Sequence, residues 1–204
     1  MTREQQRKLK TLKQVLPGIL KEEMKPYKFK KKDFMVWCVQ GDLFFNMHIF
    51  IAEKDGHCYC DCHEGFKPLW ADDLLWDILG MPENKKEPLS LRSIGAFTVY
   101  GVTCFDERRE LSSWEPEELE KCVRDYMAHF DQTVHAMKEK DYGTLLNPSE
   151  YHGDLQELLL LIHEGKYREA SEYAKAMEDE WFENEGIGFR QRAKRYIVNS
   201  CKKL

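Results

Sequence analysis

Five of the seven residues in His57-Cys58-Tyr59-Cys60-Asp61-Cys62-His63 carry atoms that bind soft metals or act as thiols. The spacing decides what they can do. In a β-strand alternate side chains share a face, so Cys58, Cys60 and Cys62 stand in a row, with roughly 6 to 7 Å between neighbouring Cα atoms. That row is too spread for one tetrahedral zinc unless the strand bends, and the second cysteine pair that structural zinc sites normally draw on is missing from the sequence. The first reading is therefore a strand whose thiols pack inward as small apolar side chains, with no cofactor. The alternative kept open is a metal site, zinc foremost, held by His57, Cys58, Cys60, Cys62 and His63, or a thiol-redox site in the same stretch.

Other reactive types are scattered. Cys104 at a strand end and His48 in a neighbouring strand would make a nucleophile and base only if folding joined them. His129 and His135 are six residues apart on one expected helix and so lie on different faces, while Asp125 and His129 have the spacing of a surface ion pair. Gly186-Ile187-Gly188 lacks the third glycine of a dinucleotide fingerprint, Gly165-Lys166 has no glycine-rich loop before it, and neither G-x-S-x-G nor H-E-x-x-H occurs. The segment Lys28-Phe29-Lys30-Lys31-Lys32 interleaves bases with one ring. It reads as the entry to a strand, with Phe29 packed inward and the lysines solvated.

These residues must be positioned by elements whose periods are visible. Thr2 and Gln5 have capping-box spacing, and Leu9, Leu12, Leu16, Ile19 and Leu20 form one helical stripe, with a kink or break expected at Pro17-Gly18. From Asp33 the period changes to two. Residues 34–39, Leu43 to Ala52 and His57 to His63 read as an antiparallel meander turned at Gly41-Asp42 and at residues 53–56, and Gly95 to Phe105 as a fourth strand. Strand Leu43 to Ala52 is apolar on both sides, so both of its faces should be at least partly buried. Between the last two strands, a short helix from Asp72 or Asp73 to Leu79 ends at Gly80, and 83–93 reads as a loop. Thereafter the pattern is helical: a long helix from Pro116 to near residue 140, one around Leu155 to Ile162 ending at Gly165, one from Tyr167 to Trp181, and a basic one from Phe189 to Lys203.

The chain has 204 residues, 42% of them hydrophobic and 12% aromatic, with 12 Gly and 7 Pro, enough for a real core and unlike collagen or a disordered tail. Its longest aliphatic run, Leu158 to Ile162, falls far short of the roughly 20 apolar residues of a membrane span. The basic start lacks the apolar stretch of an export signal, and seven cysteines, an odd number, argue for reduced thiols; a soluble cytoplasmic protein with no membrane partner is expected. Net charge is −5, but residues 1–32 carry 11 Lys and Arg against 3 Glu, and 186–204 carry 6 basic residues and no acidic one. Positions 33–185 therefore hold 14 basic and 33 acidic residues. Basic ends can meet acidic surfaces of the same chain, stay solvated, or meet a polyanion; a pI near 5.9 argues against nucleic acid.

Gly165-Lys166-Tyr167-Arg168-Glu169-Ala170, between two amphipathic helices, resembles the turn and second helix of a tetratricopeptide unit. It occurs once, so a helical hairpin is expected instead of a repeat array. More broadly, the first helix leading into Tyr27-Lys28-Phe29-Lys30-Lys31, Phe34, the strand Leu43 to Ile51, Lys67-Pro68-Leu69 before Asp72 and Trp76, and Leu91 to Phe97 resemble a group of uncharacterised bacterial proteins, domain of unknown function 4304. The resemblance spans roughly residues 5 to 140 and excludes the cysteine-histidine run. It implies a compact α+β bacterial cytosolic protein with a binding role, and no established activity or catalytic residues.

The expected fold is α+β: an antiparallel sheet of about four strands, covered by the N-terminal and long central helices. Residues 1–145 should form this domain, with 146–204 a C-terminal helical extension packed on it. The expected function is a non-enzymatic protein-interaction module that binds a protein partner or itself. A metal or thiol-redox site at residues 57–63, or an unrecognised enzyme, is the alternative.

Overall fold

The computed structural model describes residues 1–94, 97–177, 182 and 187–202. The fold is α+β. Five strands, β1 (Lys30–Lys32), β2 (Met35–Gln40), β3 (Leu43–Lys54), β4 (His57–Pro68) and β5 (Val102–Glu110), form one antiparallel sheet in sequence order, one strand more than expected. Among the described residues the helices are α1 (Arg3–Glu23), α2 (Leu69–Leu79), α3 (Leu91–Ile94), α4 (Pro116–Met137), α5 (Gly153–His163), α6 (Tyr167–Ala176) and α7 (Phe189–Cys201).

Contacts divide the chain into two compact units. The first is Met1–Phe66 with Thr103–Lys140, and the second is Lys67–Val102 with Asp141–Leu204. One division is expected, after residue 145; the contacts place three, after Phe66, Val102 and Lys140. The link between the neighbouring strands β4 and β5 is not a hairpin. It carries α2 and α3; α2 packs on α5 and α7, and α6 packs on both α5 and α7. The apolar faces of Leu75, Ile78 and Leu79 meet Leu155, Leu158, Leu159, Phe189 and Ala193 in one cluster.

In the first unit, α1 begins at the expected capping box: Thr2 Oγ1 accepts from the Gln5 backbone N–H, and Gln5 Oε1 from the Thr2 backbone N–H. Of the kink or break expected at Pro17-Gly18, the break does not occur, and α1 is one helix of 21 residues. Proline removes one backbone hydrogen bond. Leu12 and Leu16 before it and Leu20 after it are all buried, and that stripe keeps the two halves in one helix. α1 packs on α4, and both contact β3.

The register of β2 on β3, Trp37 opposite Asn46 and Cys38 opposite Phe45, sorts the side chains. Val36, Cys38, Phe45, Met47, Ile49 and Ile51 form the buried inner face, while Met35, Trp37, Phe44 and Phe50 lie on the other. The expected two-sided burial of β3 holds at Phe44, at 0% exposure, and lapses at Phe50, at 51%. β3 turns into β4 through Asp55 and Gly56, both at positive φ (53° and 83°), the conformation of a tight hairpin turn. The edge strand β1 is only three lysines long, which keeps an exposed strand edge from recruiting another chain.

Two strand bounds move. β4 runs on to Pro68 instead of stopping at His63, because Glu64 and Phe66 continue the buried alternation. β5 starts at Val102, not Gly95, and extends through the charged run to Glu110. Ahead of it, Val99 is withdrawn from any ladder: its N–H donates to Asp72 Oδ1 at 2.8 Å and its carbonyl accepts from Lys67 Nζ at 2.6 Å. Gly95 itself lies outside the described residues, as do Trp181 and Lys203 from the expected helices. α2 begins at Leu69, three residues before the expected cap, and ends at Gly80 with φ 76° as its pattern requires. The expected 83–93 loop contains a 3-10 turn, Pro82–Lys86, and α3 begins at Leu91.

Candidate functional site

β4 separates its would-be ligands. Cys58, Cys60 and Cys62 are fully buried on the inner face, with Glu64 next in the row, while His57 and His63 alternate onto the opposite face. There His57 Nδ1 is 2.6 Å from Glu110 Oε1, and the His63 ring stands edge-on to His48 at 6.3 Å. Among the described residues no three His, Cys, Asp or Glu side chains are grouped to hold a metal ion.

Burial pushes the Cys58 thiol up to about 11 and raises Cys62 further, so both are neutral thiols near pH 7. Cys104 is pushed up to about 12, by burial first and the Glu64 carboxylate second. Cys60 differs in having a thiol partner across the layer interface. It shares a hydrogen bond with Cys122 of α4, which raises Cys60 and lowers Cys122, the latter also favoured by the nearby Arg109 guanidinium. Tyr126, one turn along α4, donates its hydroxyl to the Cys60 carbonyl at 3.1 Å.

Glu64 forms the best organised polar group in this layer. Its carboxylate is fully buried and accepts from Thr133 Oγ1 at 2.7 Å, while its other oxygen is 3.0 Å from His129 Nδ1. Phe105 of β5 lies against the His129 ring at 4.0 Å. The expected Asp125–His129 pair does not form: Asp125 accepts from Arg109 Nη1 at 3.1 Å, and His129 turns toward β4. The sequence does not single out Glu64 because its partners are 65 and 69 positions away; its only signal is an acid at an inward position of the alternation. His135 is separate, with Nδ1 donating to the Asp131 carbonyl at 2.8 Å.

Burial raises the Glu64 carboxyl above its ordinary 4.5 despite those two hydrogen bonds. The folded state then holds a proton that the unfolded chain releases, so Glu64 costs stability as pH rises from about 4.5 through the raised value. Glu64→Gln should remove that slope. Urea unfolding of both proteins from pH 4 to 7 checks it, and parallel slopes would contradict it.

On the opposite face, Arg108 binds Asp61 through two parallel bonds, Nε to Oδ1 at 2.9 Å and Nη2 to Oδ2 at 2.7 Å, and lies over Tyr59. In the second unit, Lys67 is buried with three acceptors on its ammonium: Asp72 Oδ1 at 2.9 Å, the Arg92 carbonyl at 2.9 Å and the Val99 carbonyl at 2.6 Å. Arg92 in turn donates to Asp73 and to the Leu69 carbonyl and covers the Trp76 ring. This constellation ties β4's end and α2 to Arg92 and Val99.

The basic N-terminal segment is built differently. Among the described residues, of its 11 Lys and Arg only Lys8 (to Glu115) and Lys25 (to Glu22) form ion pairs. Arg3, Arg7, Lys10, Lys13 and Lys21 are exposed on α1 and none of them forms an ion pair, so the acidic surfaces of the described residues do not neutralise them. At about 100° per residue these five fall within about 120° of arc, and from Arg3 to Lys21 the row is about 27 Å long. From Gln5 to Lys21 no acidic residue interrupts it. Just beyond, residues 26–29 line a pocket of about 450 Å³ against β2 and α4. Phe29, expected inside, stacks on Tyr27 at 5.0 Å and meets Phe130 of α4 at 4.9 Å.

No protein family, curated protein or solved structure matches the chain.

Proposed function

We propose that the protein is a non-enzymatic interaction module that recognises an acidic protein surface through the exposed face of α1. The observation that carries this reading is the unpaired row Arg3, Arg7, Lys10, Lys13 and Lys21, five cations on one rigid helix. A row fixed on a helix loses no backbone entropy on binding, so it favours a partner that presents carboxylates at a matching rise. The helix does not serve a lipid surface by insertion, because its apolar stripe, Leu12, Leu16 and Leu20, is buried in the unit's own core. Nucleic acid is the less favoured polyanion. The first unit carries 18 Lys and Arg against 19 Asp and Glu, close to balance, where a nucleic-acid domain is usually strongly basic.

The test is binding of a fluorescent 20-residue polyglutamate to the full chain, followed by anisotropy. Binding should weaken steeply from 50 to 500 mM salt. The variant with Arg3, Arg7, Lys10 and Lys13 all replaced by Gln should bind at least about fourfold more weakly, since four exposed pairs are each worth about 0.2 to 1 kcal/mol. Those four side chains are exposed and form no ion pair among the described residues, so its unfolding midpoint should stay in place. Absent binding, binding unchanged in the variant, or tighter binding of a thymidine 12-mer than of polyglutamate would each overturn the reading.

A further inference from the structure

Independently of the α1 reading, we infer that Cys60 of β4 and Cys122 of α4 are a modification site, at which a peroxide joins the two sulfurs in a reversible disulfide. A disulfide forms only where two cysteine side chains are aimed at one another. These two are, because they share a thiol–thiol hydrogen bond across the interface between the sheet and α4. Cys58 and Cys62 stand on either side of Cys60 in the buried row of β4. They are not aimed at it, since side chains two positions apart on a strand run parallel, with roughly 6 to 7 Å between their Cα atoms.

The surroundings give the two thiols different roles. The hydrogen bond from Cys60 lowers Cys122, as do the Arg109 guanidinium and the Tyr126 hydroxyl, against the opposing effects of burial and the Asp125 carboxylate. The same bond, together with burial, raises Cys60. Arg109 is held in place over the Tyr126 ring at 4.7 Å, with Glu107 at 2.8 Å and Asp125 at 3.1 Å. Cys122 also lies nearer the surface, at 3% exposure against 0% for Cys60. Burial pushes Cys38, Cys58, Cys62 and Cys104 up, so all four stay neutral near pH 7. Cys122 is the attacking thiolate and Cys60 the thiol that resolves it.

Hydrogen peroxide supplies the oxidising equivalents. The Cys122 thiolate attacks one peroxide oxygen, the O–O bond breaks, and the other oxygen leaves as hydroxide, which becomes water with the proton that Cys122 released. Cys122 is then a sulfenic acid. The Cys60 sulfur attacks the Cys122 sulfur, the S–O bond breaks as the S–S bond forms, and the departing hydroxide takes the Cys60 proton. Two thiols and one peroxide become one disulfide and two waters. A dithiol returns two electrons and two protons and restores both cysteines.

To test this, the reduced full chain is treated at pH 7 with one equivalent of hydrogen peroxide, its remaining thiols are alkylated, and its peptides are mapped by mass spectrometry. The peptides carrying Cys60 and Cys122 should be joined, two hydrogens lighter, and should separate again in dithiothreitol. The bond closes a long loop of chain, so the urea midpoint should rise on oxidation and return on reduction. Cys60→Ser should halt the reaction at a Cys122 sulfenic acid that dimedone labels, whereas Cys122→Ser should leave Cys60 alkylated. Arg109→Gln, which does not depend on either cysteine variant folding, should form the same bond several-fold more slowly. Alkylation of both Cys60 and Cys122 while other thiols are oxidised, a bond from Cys122 to Cys62 in place of Cys60, or a bond that forms only in urea would each overturn the inference.

Discussion

Lys67→Met should lower the stability of the second unit by about 3 kcal/mol, because it removes the closer of two cations on the buried Asp72 carboxylate and leaves only Arg92 Nη1, at 3.5 Å from Oδ2. Both side chains are essentially inaccessible, Lys67 at 2% and Asp72 at 0%. Burial pulls the lysine down and the carboxyl up, and each is held ionised by the other, by the two carbonyls on the ammonium and by the Val99 N–H and the Arg92 guanidinium on the carboxylate. The loss should therefore depend on the residue at 72. Asp72→Asn alone should also destabilise, yet in the Lys67→Met background it should recover about 1 kcal/mol or more, since Asn keeps the acceptor for Val99 without the charge. Urea unfolding of the four proteins at pH 7 closes this cycle. A single-variant loss below about 1 kcal/mol, or simple additivity, would show that the pair is not coupled as its geometry requires.

Acidification should destabilise the same unit through His152. Its ring is buried, at 6% exposure, stacked on Tyr151 at 4.2 Å and edge-on to Phe182 at 5.3 Å. Burial, ahead of the neighbouring charges, pulls its pKa from 6.5 down to about 4. Below pH 6.5 the unfolded chain takes up a proton that the folded ring refuses until about pH 4, so stability is lost as pH falls through that window and the loss is complete below it. At about 1.36 kcal/mol per pH unit the total is about 3 kcal/mol. His152→Asn removes the titration and suits the backbone, whose φ of 60° asparagine adopts readily. Between pH 7 and pH 4 the native protein should lose about 3 kcal/mol more than the variant in parallel urea melts. The Glu64 slope has the opposite sign and is present in both proteins, so the difference isolates His152. Equal losses would mean that the ring is protonated in place.

The parts of this fold that were legible in the sequence are those decided within a few residues. Thr2 and Gln5 meet across one helical turn, Asp55-Gly56 supplies two positive φ angles to a hairpin, and Gly80 and Gly165 close helices at φ 76° and 73°. The inward row Cys58, Cys60 and Cys62 belongs with them, since a period of two fixes which side chains share a face whatever lies opposite. At Pro17 the same local logic leaves a kink and a break both open, and the continuity of α1 is decided elsewhere: the missing bond is local, while the burial of Leu12, Leu16 and Leu20 that holds one helix together is supplied by α4 and the sheet. What stands opposite was out of reach. Glu64 finds His129 and Thr133, Lys67 finds Val99, and residues 67–102 join 141–204 instead of the sheet between whose strands they run, all through contacts spanning tens of positions. The sequence by itself determined the α+β class, the element types and the crowding of positive charge into the first thirty-two residues. Only the tertiary structure decided that this charge stays unpaired along α1 and that a pocket opens beside it, because helix and strand periods state which way a side chain faces, whereas its partner depends on the distance through which the whole chain has folded back.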